Sequence, residues 1–222
     1  MISAPQTGLE VAMMPSRVFR VPPTIQIGMG AAALTGPEVK RLGAKSALFI
    51  TDKFLLDTGA VQPVLDSLKE AGIRLEIYSG VNKEPILQHV EESLALLKKS
   101  NCEVVIGCGG GSPIDVAKAV SAMSGNPGSI QDYMGLDKLP SRGAPIVAVP
   151  TTAGTGSEAT LTTIITDTER DVKMLIISPW LLPSVAIVDP LLTMKLPKGI
   201  TAATGVDALT HAIEAYVSRK AQ

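Results

Sequence analysis

The sequence predicts an α/β fold, a Rossmann-like parallel sheet with helices on its faces, and three observations lead there. Strand-like runs recur at 47–50, 74–78, 104–106 and 144–149. Helical segments at 60–71, 86–99 and 113–124 alternate with them, which is the βαβ rhythm of a parallel sheet. Between one strand and one helix lies the glycine cluster Gly107, Gly109, Gly110 and Gly111, the punctuation of a ligand-binding strand-to-helix turn.

In chain order, residues 1–17 read as a loose arm, because Pro5, Gly8 and Pro15 discourage regular structure. Residues 18–27 give strand-like pieces broken by Pro22 and Pro23, and Gly28-Met29-Gly30 turns the chain into a helix ending near Gly43. The apolar strand 47–50 follows, with Thr51 and Asp52 at its C-terminal end, where doubly wound sheets bind ligands. Asp52 has two readings there, a ribose-binding acid or a cap for a helix beginning near Lys53. His89, among Gln88, Glu91 and Glu92, reads as a solvated side chain, whereas Cys102 and Cys108 share strand parity and read as core thiols. Later, 161–166 and 172–177 form a hairpin around Asp167 to Arg170, and a last short strand from Val185 stops at Pro190.

The stretch VVIGCGGGSPIDVAKA, residues 104–119, is the centre of the reading. Glycines allow close approach of a ligand to backbone, and the first amides of the helix have no intrahelical partner. Ser112 is expected as N-cap, Pro113 at the first helical position and Asp115 as the third residue of a capping box. A diphosphate lying there would meet amide N–H groups and the positive end of the helix dipole. The pattern only half-matches a dinucleotide fingerprint, so a plain tight turn is the competing reading.

Two further stretches add chemistry. In PTTAGTGSE, residues 150–158, the hydroxyls of Thr151, Thr152, Thr155 and Ser157 offer donors for phosphate, ribose or amide. In TAATGVDALTHAIEAYVS, residues 201–218, a helix is expected from about Val206, with Asp207 and His211 one turn apart on one face. Their donor types suit Fe(II), Zn(II) or Mn(II), although alone such a pair is commonly an ion pair or cap.

The 222 residues are 45% hydrophobic with a net charge of −1, enough apolar surface for a sizeable core but no basic field for nucleic acid or a membrane surface. No apolar run has the length of a membrane span and no leader-like segment opens the chain, so cytoplasmic localisation is expected.

Taken together and in this order, GGGSPIDVAKA, PTTAGTGSEAT and GVDALTHAIEAY resemble the iron-containing (group III) alcohol dehydrogenase family over most of the chain from about Phe19 to Ser218. The resemblance implies an NAD-binding α/β domain at 18–195 and the beginning of an all-helical metal-binding domain at 196–222. It implies that Gly110, Gly111, Ser112 and Asp115 hold the diphosphate and nearby cofactor, that Thr151, Thr152, Thr160, Thr162 and Lys173 make its other contacts, and that Asp52 meets the adenosine ribose. An acid at the ribose favours NAD over NADP. Asp207 and His211 match the first two metal ligands and the catalytic centre, with Fe(II) the expected metal and Zn(II) the alternative. The implied reaction is metal-assisted hydride transfer between a small alcohol or aldehyde and nicotinamide, in a homo-oligomer when complete.

The family pattern uses one Asp and three His, and the only other histidine of this sequence is His89. That half-set, and a final helix whose Ala208, Leu209, Ala212, Ile213 and Tyr216 would lack a partner, lead to the expectation of a truncated chain. A zinc glycerol dehydrogenase, a cyclase of the dehydroquinate synthase type and an inactive NAD-binding fragment are the alternatives.

Overall fold

The computed structural model describes residues 18–219, so the expected arm at 1–17 lies outside the described residues. Six strands form one parallel sheet: β1 (Thr24–Ile27), β2 (Ser46–Ile50), β3 (Arg74–Tyr78), β4 (Val104–Gly109), β6 (Ile146–Pro150) and β9 (Val185–Val188), in the spatial order β1-β9-β6-β4-β2-β3. A smaller sheet pairs β7 (Thr162–Asp167) antiparallel with β8 (Val172–Ile177), and β8 parallel with the two-residue β5 (Gly135–Leu136).

The helices are α1 (Thr35–Arg41), α2 (Lys53–Asp57), α3 (Gln62–Glu70), α4 (Leu87–Lys99), α5 (Gly111–Gly125) and α6 (Lys198–Val217). From β2 the chain moves outward to β3, then returns past β2 to β4 and on to β6 and β9. The direction of winding therefore reverses between β2 and β4. That is the switch point at whose C-terminal edge open α/β sheets bind ligands.

Strand alternation builds two cores. Phe49, Ile106, Val149 and Ile187 face one side, against Val39, Val64 and Leu68 of α1 and α3. Leu48, Ile50 and Val105 face the other, against α4, α5 and the small sheet through Val90, Val120 and Ile176. The central strands β2, β4 and β6 are buried along their whole length, as strands covered on both faces must be.

Three local expectations are corrected. His89 is buried, at 5% exposure, with its ring tilted beside Tyr78 at 6.4 Å between centroids. Burial lowers its pKa, with the Glu92 charge opposing. Cys108 and Cys102 are free and buried as expected, but they face opposite cores, because Cys102 precedes β4 in the turn after α4. The last helix begins at Lys198 instead of about Val206. Its first turns hold Gly199, Thr201, Thr204 and Gly205, weak helix formers that hid this start from the sequence, and Pro197 opens the helix as N-cap.

Candidate cofactor site

The site begins where β4 ends. Gly109 has φ +153°, and a Cβ there would lie 2.6 Å from Pro113 Cγ, so the turn packs directly on the helix it launches. Gly110 is the N-cap and α5 starts at Gly111, two residues before the expected start at Pro113. Ser112 is therefore inside the helix and is not its cap. Its hydroxyl instead donates to the Lys83 carbonyl at 3.0 Å, tying the loop after β3 to the start of α5. Pro113 falls at the third helical position, where a missing N–H still costs nothing.

β6 is held beside this turn by the Gly109–Pro150 register and by Thr151 N–H donating to the Gly109 carbonyl at 2.8 Å. Thr151 is buried, and Thr152 carries a buried hydroxyl oxygen with no hydrogen-bond partner. A Cβ at Gly110 would sit 3.5 Å from the Thr152 methyl, so the two loops close on each other at van der Waals contact. On the opposite side, Asp52 follows the C-terminal end of β2. Its carboxylate accepts the Leu55 amide at 2.8 Å as N-cap of α2, so the capping reading is correct, and its backbone bridges to Gly80. Burial raises the Asp52 pKa, opposed by the amides of Leu55 and Phe54.

These edges enclose a cavity of about 720 Å³, within the range of small-molecule sites. The structure brings Asp52, Gly110, Gly111, Ser112, Thr151 and Thr152 together in its wall. The sequence reading missed Lys53, Phe54 and the loop from Ser79 to Lys83, although that loop leaves the C-terminal end of β3 and the switch-point rule reaches it. It also missed Leu196 and Ile200, which come from the approach to α6 and its first turn.

Asp115, Thr160, Thr162 and Lys173 do not line this cavity. Asp115 does not close a capping box; its carboxylate accepts the Ile164 amide of β7 at 3.2 Å. The fully buried Lys118 donates to the Thr160 carbonyl at 2.8 Å, the Thr160 hydroxyl at 2.9 Å and the Thr162 carbonyl at 2.9 Å. Burial pushes the Asp115 pKa up and that of Lys118 down, each partly offset by the other's charge. Lys173 is exposed on β8 and pairs with Glu84 at 3.0 Å.

Asp207 and His211 stand on the exposed α6 with Oδ1 and Nε2 3.9 Å apart. Among the described residues no group of three or more His, Cys, Asp or Glu could hold a metal, so the pair is two donors and not a closed centre. No helix among the described residues is long and apolar enough to cross a membrane.

The fit to a dinucleotide is better. A helix N-terminus without its own hydrogen bonds, glycines where a Cβ would crowd the turn, an unpartnered hydroxyl at Thr152 and an acid across the crevice suit a diphosphate flanked by sugar hydroxyls. Fold and crevice thus define an α/β protein of the doubly wound class with a cavity at its switch point. The family model described as iron-containing alcohol dehydrogenase matches residues 22–190, and the chain belongs to that family. It is 45% identical to the NAD-dependent methanol dehydrogenase of Bacillus methanolicus over 203 residues, covering 91% of this chain and 53% of that protein. A crystal structure of 1,3-propanediol oxidoreductase superposes with a TM-score of 0.89 at 43% identity, covering 93% of this chain and 55% of the other. Sulfoacetaldehyde reductase from Bifidobacterium kashiwanohense in complex with NAD+ superposes with a TM-score of 0.86 at 36% identity, again over 93% and 55%. The chain spans about half the length of these relatives.

Proposed function

We propose that the chain supplies the dinucleotide-binding half of an NAD-linked alcohol dehydrogenase that also runs as an aldehyde reductase. Residues 18–195 form the cofactor unit in this reading and 196–222, with α6, the start of a helical domain. The observation that carries it is the β4–α5 junction, whose Gly110 and Gly111 line one cavity with Thr151, Thr152 and, across it, Asp52.

When bound, the nicotinamide takes hydride from an alcohol carbon or returns it to a carbonyl carbon. The residues of this chain bind and orient it. The α5 N-terminus receives the diphosphate, and rotation of Thr152 about its Cα–Cβ bond turns its unpartnered hydroxyl to a cofactor oxygen. Asp52, at the cavity wall, offers its carboxylate to a ribose hydroxyl, and its charge disfavours a 2′-phosphate, so NAD is preferred over NADP. Leu55, Val81, Leu196 and Ile200 give the cavity apolar walls that exclude water from the bound rings.

The substrates proposed are small alcohols and aldehydes, in line with the relatives' methanol, 1,3-propanediol and sulfoacetaldehyde. Asp207 and His211 are proposed as two donors for Fe(II), with Zn(II) the alternative; a complete centre needs donors beyond these two. That shortfall favours one second reading, an NAD-binding chain without turnover. The test is NADH absorbance on mixing the chain with NAD and a panel of small alcohols, with Fe(II) added anaerobically. NADH formation supports the dehydrogenase reading. Saturable NAD binding without NADH under any of these conditions leaves the second.

A further inference from the structure

Within the proposed dinucleotide site, on which this inference rests, we propose that Lys83 is a binding residue for the cofactor diphosphate. The loop from Ser79 to Lys83 forms one wall of the cavity and is tethered along its length. Gly80 bridges Asp52, the Lys83 carbonyl accepts from Ser112, the Pro85 carbonyl accepts the Thr166 amide at 2.7 Å, and Glu84 pairs with Lys173. Such a loop presents its side chains from a fixed backbone, so only side-chain and not backbone ordering entropy is lost when one of them meets a ligand.

The charges in the cavity are unevenly committed. Lys53 is paired with Asp57 at 3.1 Å, whereas Lys83 has no carboxylate partner among the described residues. The loop also sorts them in space. Its Gly80 end lies at Asp52, the anionic end that suits sugar hydroxyls, and its Lys83 end lies at Ser112 and the electropositive start of α5. A lysine whose backbone is fixed at a helix N-terminus that already favours anions can bring its uncommitted ammonium to the same place. The ligand class that matches this polarity is a nucleoside diphosphate ester with its sugar at Asp52 and its diphosphate between α5 and Lys83.

Lys83→Gln and Lys83→Arg, compared with the unaltered chain, test this by competition of ADP and adenosine against NADH fluorescence. The expected result is a roughly tenfold loss of NADH and ADP affinity in Lys83→Gln, unchanged adenosine affinity, and recovery in Lys83→Arg. The loss should shrink as salt is raised, since the arm is exposed. Equal NADH and ADP affinities in Lys83→Gln and the unaltered chain would overturn the assignment while leaving the dinucleotide site standing. So would a matching loss for adenosine, which would mean general damage to the wall. If the unaltered chain binds neither NADH nor ADP, the dinucleotide reading falls first and Lys83 with it.

Discussion

Lys118 and Thr160 are joined twice: the buried ammonium donates to both the carbonyl and the hydroxyl of the threonine, at 2.8 and 2.9 Å. With the Thr162 carbonyl as third acceptor, every N–H of the lysine is used. The network lies behind the hydroxyl-rich loop and fixes where it joins β7. Lys118→Met should therefore leave the Thr160 and Thr162 carbonyls without their shared donor and the largely buried Asp115 carboxylate without its cation, and cost about 3 kcal/mol. Thr160→Ala, which removes one acceptor, should cost about 1 kcal/mol. Urea unfolding of both variants checks the order and the size.

Asp52 combines two roles that substitutions can separate. Asparagine retains the acceptor for the Leu55 amide, so Asp52→Asn should unfold close to the unaltered chain, whereas Asp52→Ala loses the cap and about 1 kcal/mol. Both remove the negative charge at the proposed ribose position. NADP affinity should rise by about tenfold in each, because like charges no longer meet. Parallel titrations with NAD and NADP measure the change.

Gly154 touches α6 directly. A Cβ at this position would lie 2.1 Å from the Thr204 carbonyl oxygen, a clash with backbone that no side-chain movement relieves. Gly154→Ala should push α6 off the loop at a cost of about 1–3 kcal/mol. Hydrogen exchange should speed up along α6 while the amides of β2, β4 and β6 stay protected.

Buried His89 makes stability depend on pH. Its folded pKa lies below the ordinary 6.5, so its contribution is fully present above that value and is lost as pH falls through the folded pKa. The neutral ring accepts the Ile86 amide at Nδ1, a bond that protonation removes. Urea midpoints should fall between neutrality and mildly acid pH with a slope of at most about 1.4 kcal/mol per pH unit from this group. His89→Gln should flatten that part of the profile.

What was legible in the sequence follows from the range of the forces involved. The central strands announce themselves as short apolar runs, β-branched in β4 and β6, because both of their faces are buried. The switch-point acid Asp52 and the glycine turn were equally plain, being local strand-to-helix chemistry. Asp115 was misread as a cap because local rules see only its own helix, whereas its partner, the Ile164 amide, arrives from the hairpin 49 residues later. Lys118 carries no local sign of burial for the same reason, since it is the hairpin that covers α5. His89 has polar neighbours in sequence, but Tyr78 from the adjacent strand closes over it.

The central claim is that the crevice between β2, β4 and β6 takes a dinucleotide. Calorimetric titration of NAD into the purified chain tests it most directly. The account predicts saturable binding at a single site, weakened by Thr152→Val, which removes the unpartnered hydroxyl but keeps the side-chain shape. A chain that shows the circular dichroism of a folded α/β protein yet gives no saturable heat with NAD or NADP would contradict it.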